Sequence, residues 1–391
     1  MKVLLVANSL GGGAGKACLR LYYALRGAGV DVRLLYLEPG RQPDDPNIAS
    51  FYGSVSRLFL RQLIMQPLLK LKAVLAGDPA GNYRLPVSIH RLENHAWVAW
   101  ADVVNLHWVP NFVDYKRFFS RVGRKPIVWT MHDLLPFSGG FHYRSEIQNR
   151  DVGVEQRIKR SKEKAVSEAN LSIVAPSSWA LDESQKYGTF SACRHTHIFN
   201  GVPLDVFQPL SKKLARSILG LPVDSRIVLF VADSIDSKRK GIGLLVEAMA
   251  LLKDANITFV SIGGGSMPVD SSFPYISLGS MSDDVALAIA YASADVAVVP
   301  SVEDNSPNTI LESLACGRPV IGMNNGGIPQ LVCSEHLGVV LDQAQPEGLA
   351  EAIKATLATD YSEDSIRRYA QANFDLGLLA SRYIAEFERA I

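Results

Sequence analysis

Residues 298–320 read VVPSVEDNSPNTILESLACGRPV. The run at 296–299 is short, apolar and β-branched, as expected for a strand buried on both faces of a parallel sheet. It stops at Pro300, so the loop that follows lies at the carboxyl edge of the sheet, where open α/β folds bind ligands. Ser306 and Pro307 suit an N-cap and a first helical residue, and the helical pattern at 310–315 ends before Gly317. This places Asp304 in the loop just ahead of a helix and Glu312 about a turn and a half inside it. One carboxylate can then meet a sugar and the other a ribose, with backbone amides of the helix N-terminus available to phosphate. The plainer alternative is a solvated loop acid and a capping glutamate.

Working outward, the same alternation of short apolar runs and amphipathic helical stretches recurs, the mark of βαβ units and parallel sheets. Strands are expected at 2–7, 32–37, 103–106, 127–130 and 173–176, the last closing the first half. A second series has strands at 228–232, 258–263, 296–299 and 319–322, with helices at 244–252, 285–291 and 310–315. The Asn-, Gly-, Pro- and Asp-rich segment 200–209 reads as the joint, and a closing helix is expected over 376–390.

At 391 residues the chain exceeds one ordinary core, so two domains are expected. The net charge of +1 gives no reason to expect a nucleic-acid partner. The four cysteines, at 18, 193, 316 and 333, have neither metal-ligand nor disulfide spacing and read as reduced core residues of a cytosolic protein. No apolar run is long enough to span a bilayer, and the N-terminus reads as a strand, without the pattern of a secretion signal.

Several loops qualify as ligand contacts. SLGGGAGKA at 9–17 is neither a Walker A motif, since Ala17 follows the lysine, nor a complete dinucleotide fingerprint. Lys238, Arg239 and Lys240 precede a glycine and a helix, a place where cations can neutralise a phosphate; a basic triplet by itself is more often a solvated turn. His132 and Asp133 directly follow a strand, and the strand at 258–263 runs into three consecutive glycines.

The Pro-Ser start, the acid, the seven intervening residues, Glu312 and the later Cys-Gly and Pro resemble the signature of the retaining family-four glycosyltransferases, relatives of bacterial glycogen synthase. Asp304 stands where most of that family has Glu, and DNSPNT is similar to a subgroup that builds exopolysaccharide and O-antigen chains. The resemblance implies the GT-B architecture: α/β, two Rossmann-like domains with parallel sheets facing a central cleft, and a C-terminal helix returning to the first. The domains are then an acceptor-binding one over 1–200 with helix 376–391, and a nucleotide-sugar-binding one over 201–375. It implies catalytic roles for His132, Asp304, Arg239 and Lys240. Donor contacts would come from Gly12, Gly13, Lys238, Gly263, Gly264, Asn305, Ser306, Asn308 and Glu312. Further matches are APSSW, FNGVPLDVF and NNGGIP, although Gln330 replaces a common Glu and Phe141 a frequent Cys.

On this resemblance the chain is a retaining hexosyltransferase acting between a nucleotide-diphosphate sugar and a saccharide or polyprenyl-linked acceptor. No D-x-D motif is present, and no metal or cofactor is expected. A sugar-nucleotide 2-epimerase of similar architecture and a non-catalytic, transferase-like binding partner remain as alternatives. Residues 54–76, apolar and punctuated by Arg57, Arg61, Lys70 and Lys72, suit either contact with an anionic membrane or a helix pair packed on the sheet.

Overall fold

Residues 1–37, 44–52, 83–146, 152–252, 256–267 and 272–391 are described by a computed structural model. The segment 54–76 and its basic residues lie outside the described residues. The chain divides into two units, residues 1–199 with 379–391, and residues 200–378.

The first unit holds a seven-stranded sheet whose order in space is β3-β2-β1-β4-β5-β6-β7. The strands are β1 (Lys2–Ala7), β2 (Asp31–Tyr36), β3 (Ile48–Ser50), β4 (Val103–Leu106), β5 (Ile127–Thr130), β6 (Leu171–Ala175) and β7 (Arg194–His197). Every pairing is parallel. The core of this unit is apolar and aromatic, with Val6, Leu106, Phe112, Phe118, Trp129 and Ile173 all buried.

Ile173–Pro176 does not close this half, because β7 follows. Its sequence, RHTH, carries no apolar alternation, so its place comes from pairing with β6 and from Arg194. That guanidinium bonds Glu386 on helix Leu376–Ala390 and Ser172 on β6. The same helix is tied to the unit by Thr196 on Glu386 and Asn170 on the Ala390 carbonyl.

The second unit holds a six-stranded parallel sheet in the order β10-β9-β8-β11-β12-β13. Its strands are β8 (Arg226–Ser234), β9 (Ile257–Gly264), β10 (Tyr275–Ser277), β11 (Val296–Val299), β12 (Val320–Met323) and β13 (Gly338–Leu341). The edge strands β10 and β13 are only three and four residues long and partly exposed, so neither carries a readable period. In both units the strand order reverses beside the central strand, β1 in one and β8 in the other. The crevice at the carboxyl ends there is where such sheets take ligands.

Two local expectations are corrected. The helix after β11 spans Asn308–Ala315, capped by Pro307 in extended conformation (φ −66°, ψ 116°), and not by Ser306. Proline drives the residue before it out of helical space, and Pro307 itself stays extended, so the helix starts one residue later. The Ser306 hydroxyl caps nothing and is buried with no hydrogen-bond partner among the described residues. The cysteines are not uniformly core: Cys18 and Cys316 are buried, Cys193 is half-buried and Cys333 is exposed beside the Tyr369 hydroxyl. Among the described residues no helix is long and apolar enough to cross a membrane.

Candidate functional site

In the second unit the loops after β8 and β11 meet at the point where the strand order reverses. The loop after β8 makes a short 3-10 turn, Lys238–Lys240, and Gly241 ends it in the left-handed region (φ 74°). The Arg239 carbonyl accepts from Val302 N at 2.8 Å, and the Arg239 guanidinium donates to the Glu303 carbonyl at 2.8 Å. Lys240 Nζ reaches Asp304 Oδ2 at 2.7 Å, with Arg239 Nη1 3.4 Å from the same oxygen. Asp304 is 6 % exposed. Burial by itself would raise its carboxyl, but Lys240 and Arg239, with the Asn305 amide, hold it below the ordinary carboxylate value. The exposed Lys238 is the member of the triplet that is not brought to Asp304.

A third loop, after β12, closes over the same acid. Gly327 N donates to the Asp304 carbonyl at 2.9 Å, and Asn325 Nδ2 to the Ser301 carbonyl at 2.7 Å. Gly326 adopts φ 56°, and a Cβ there would lie 1.8 Å from the Asp304 carbonyl oxygen. Asn325 and Gly326 position the acid, and their signal in the sequence is the tight turn NNGG. Asn305 is buried, and Asn308 accepts from Asn200 at 3.3 Å.

Glu312 has a different partner: it is 3 % exposed, and its Oε2 accepts from the Tyr291 hydroxyl at 2.9 Å. Gly263 N donates to the Gly279 carbonyl and Ile235 N to the Gly264 carbonyl, so the glycine run fixes the turn between β9 and the loop after β8. A Cβ at Gly263 would lie 2.2 Å from the Ala232 carbonyl oxygen, which leaves room only for hydrogen.

In the first unit, Gly12 opens helix Gly12–Gly27 at φ 69°, with Gly13 next to it and Gly11 as an N-cap without a side-chain bond. Sterics also demand glycine at Gly15, where a Cβ would stand 2.6 Å from backbone atoms of Ser9 and Leu10. After β5, His132 Nε2 lies 2.9 Å from His107 Nδ1, the two rings stacked. Burial lowers His132 to about 4, against the opposing charge of Asp133. Asp133 Oδ2 accepts from Trp108 at 2.8 Å and lies 2.6 Å from His142 Nδ1. Burial would raise the Asp133 carboxyl, but His142 and these bonds keep it low.

His107, Trp108, Tyr115, His132 and Asp133 line a pocket of about 400 Å³, its open mouth included. Asn111, also on its wall, takes a left-handed conformation (φ 59°). Lys162, 1 % exposed, donates to the carbonyls of Leu135 (2.6 Å) and Ser138 (2.8 Å). Burial lowers this amine to about 7 despite Glu155 and Asp133 nearby. The unfolded chain therefore binds the proton more tightly than the folded one, and stability rises with pH from about 7 toward the usual 10.5. Thermal unfolding at pH 7 and pH 9 should show this rise, on the order of a few kcal/mol. It should be lost in Lys162→Met, and an unchanged slope in that variant would refute the assignment.

A sequence reading could not single out His107, Trp108, Asn111 or Lys162. The first three follow β4 and meet the loop after β5 only in the folded chain, and Lys162 lies in a helix, RIKRSKEK, that is basic nearly all round.

Both halves of this arrangement match known proteins. Residues 11–206 match the family described as Glycosyltransferase Family 4, and residues 225–359 the one described as Glycosyl transferases group 1. The chain belongs to the family 4, group 1 glycosyltransferases. A D-inositol 3-phosphate glycosyltransferase of Xylanimonas cellulosilytica is 28% identical over 292 residues, 69% of this chain and 67% of that one. Its counterpart from Paenarthrobacter aurescens is 25% identical over 301 residues, 73% and 69% of the two chains. Among solved structures, sucrose-phosphate synthase from Thermosynechococcus elongatus superposes with a TM-score of 0.69 at 21% identity, over 99% of this chain and 98% of that one. Anabaena HepE, solved with UDP and glucose, gives 0.68 at 16% identity over the whole of both chains. The fold is thus GT-B, and the protein is a glycosyltransferase.

Proposed function

We propose that this chain is a retaining, metal-independent hexosyltransferase. It moves a sugar from a nucleotide diphosphate to a saccharide acceptor, lipid-linked, in cell-surface polysaccharide synthesis. The observation that carries the reading is the buried Asp304 carboxylate held by Lys240 and Arg239 where the sheet order reverses. As the anomeric bond breaks, negative charge builds on the departing diphosphate. Fixed cations and amides that meet it there lower the barrier most. Asp304 keeps the two cations oriented and accepts from sugar hydroxyls, while Glu312 takes the ribose. In the first unit, His132 meets a sugar hydroxyl, and the pocket it lines takes the acceptor. No side chain is proposed as a covalent nucleophile, so the acceptor attacks the face that the diphosphate leaves.

HepE's complexes with UDP and UDP-glucose favour a uridine donor. The polysaccharide setting rests on the block DNSPNT. The names of the curated relatives favour a second reading of the acceptor, a phosphorylated inositol.

Thermal shift against UDP, GDP, dTDP and ADP should single out one nucleotide, since ligand at a hundredfold its Kd stabilises by about 2.7 kcal/mol. With that donor and an acceptor, the product should keep the donor's anomeric configuration. An inverted linkage would exclude retention, and nucleotide released without acceptor would favour the epimerase.

A further inference from the structure

A buried polar chain runs from the C-terminal helix to the pocket of the first unit. The Tyr383 hydroxyl lies 3.0 Å from Thr130 Oγ1, and Asn105 Nδ2 donates both to that oxygen (3.1 Å) and to the Val128 carbonyl (3.0 Å). Asn105 Oδ1 faces His107 Nε2 at 3.0 Å, and His107 Nδ1 faces His132 Nε2 at 2.9 Å.

The protons along this chain follow from the one group whose role cannot vary. The Val128 carbonyl only accepts, so the atom of Asn105 facing it is the amide nitrogen. Asn105 Oδ1 therefore faces His107 and accepts, which puts a proton on His107 Nε2. His107 is 2 % exposed, and the carboxylate nearest the pair, Asp133, is taken up by Trp108, His142 and the Leu135 amide. Burial and the neighbouring His132 push His107 well below its ordinary value. The cation on this side, Lys162, is bound to two carbonyls, and the remaining titratable hydroxyl, Tyr115, bonds the Pro136 carbonyl. A neutral His107 then has a bare Nδ1, and the proton between the two rings belongs to His132.

We propose that Tyr383, Thr130, Asn105 and His107 fix the proton of His132 on Nε2, so that its largely buried ring offers Nδ1, on the pocket side, as an acceptor to a substrate hydroxyl. These four are positioning residues. The consequence is a chemical preference: at neutral pH the group that meets His132 donates a hydrogen bond, as a sugar hydroxyl does, and a phosphate or carboxylate oxygen is disfavoured there. Only this identification of the substrate group rests on the transfer reading. The proton assignment stands on the geometry of the first unit.

The test is long-range proton–nitrogen NMR on the full chain labelled with 15N-histidine, with His132→Gln used to assign the signals. At pH 7 both His107 and His132 should carry their proton on Nε2. The His132 proton should be protected from exchange and coupled to His107 Nδ1. In Asn105→Leu, which removes the acceptor of His107 Nε2, that coupling should be lost and His132 should become a mixture of tautomers. A proton on Nδ1 of either ring in the wild type, or a cationic His107, would overturn the proposal, whether or not the variant folds. Saturation with a free hexose, glucose as the probe, should move the His132 Nδ1 signal toward that of a hydrogen-bonded acceptor. An unmoved signal with that sugar bound would overturn the substrate half alone, whereas failure of every sugar nucleotide to bind would count against the transfer reading.

Discussion

Lys240→Ala lowers sugar transfer by about two to three orders of magnitude, the usual loss when one fixed group stabilising developing charge is removed. Lys240 Nζ is 2.7 Å from Asp304 Oδ2, and the second cation, Arg239, is farther at 3.4 Å. Without Lys240 the buried carboxylate keeps, of its two cations, only the more distant one, so the variant also loses stability, up to the order of 3–5 kcal/mol for a broken buried pair. The wild-type carboxyl sits below its usual 3.8, so its stabilising contribution is present above that pH and fades as the pH falls below it. In Lys240→Ala burial acts with less opposition, and the carboxyl moves upward. The double variant Lys240→Ala/Asp304→Ala separates the two losses. It recovers stability, because the buried carboxylate that lost its nearer cation is gone, but not activity. Initial rates and thermal unfolding of the three variants measure both. A double variant that regained transfer would make the cluster structural only.

Gly241→Ala is the second large effect, and it arises from backbone rather than charge. Gly241 sits at φ 74°, and a Cβ there would lie 1.9 Å from the carbonyl oxygen of Pro300. The left-handed conformation costs about 1–2 kcal/mol for any L side chain. The contact adds more, because it forces the turn carrying Lys240 away from the strand end that leads to Asp304. The expected outcome is a loss of about 3 kcal/mol or more, together with a fall in transfer rate. Gly243, two residues on and within helix Ile242–Leu251, is the internal control, since a Cβ there meets nothing within 4 Å. Gly243→Ala should be neutral or stabilise by about 0.5–1 kcal/mol through helix propensity. Equal destabilisation of the two would mean that the close approach of Gly241 to Pro300 is not what the glycine serves.

How far the sequence reached differs from residue to residue. The central strands were legible because strands buried on both faces need unbroken apolar runs, and 103–106, 127–130 and 296–299 agree residue for residue with β4, β5 and β11. Edge strands were not: RHTH of β7 has no apolar face, and backbone pairing with β6 and the Arg194–Glu386 pair set its conformation. Ser306 looked like an N-cap by residue type, but the proline after it decided the backbone.

By itself the sequence determined the parallel-sheet α/β class and the two-part organisation. Those follow from local periodicity and spacing along the chain. Only the tertiary structure decided which cations of the basic triplet reach that acid, which lysine of a basic helix is buried, and which atom of His132 holds its proton. Each is settled by partners far off in sequence: 64 residues separate Lys240 from Asp304, and 253 separate Thr130 from Tyr383. The charge and proton state of a side chain depend on what surrounds it in space, and no spacing along the chain records that.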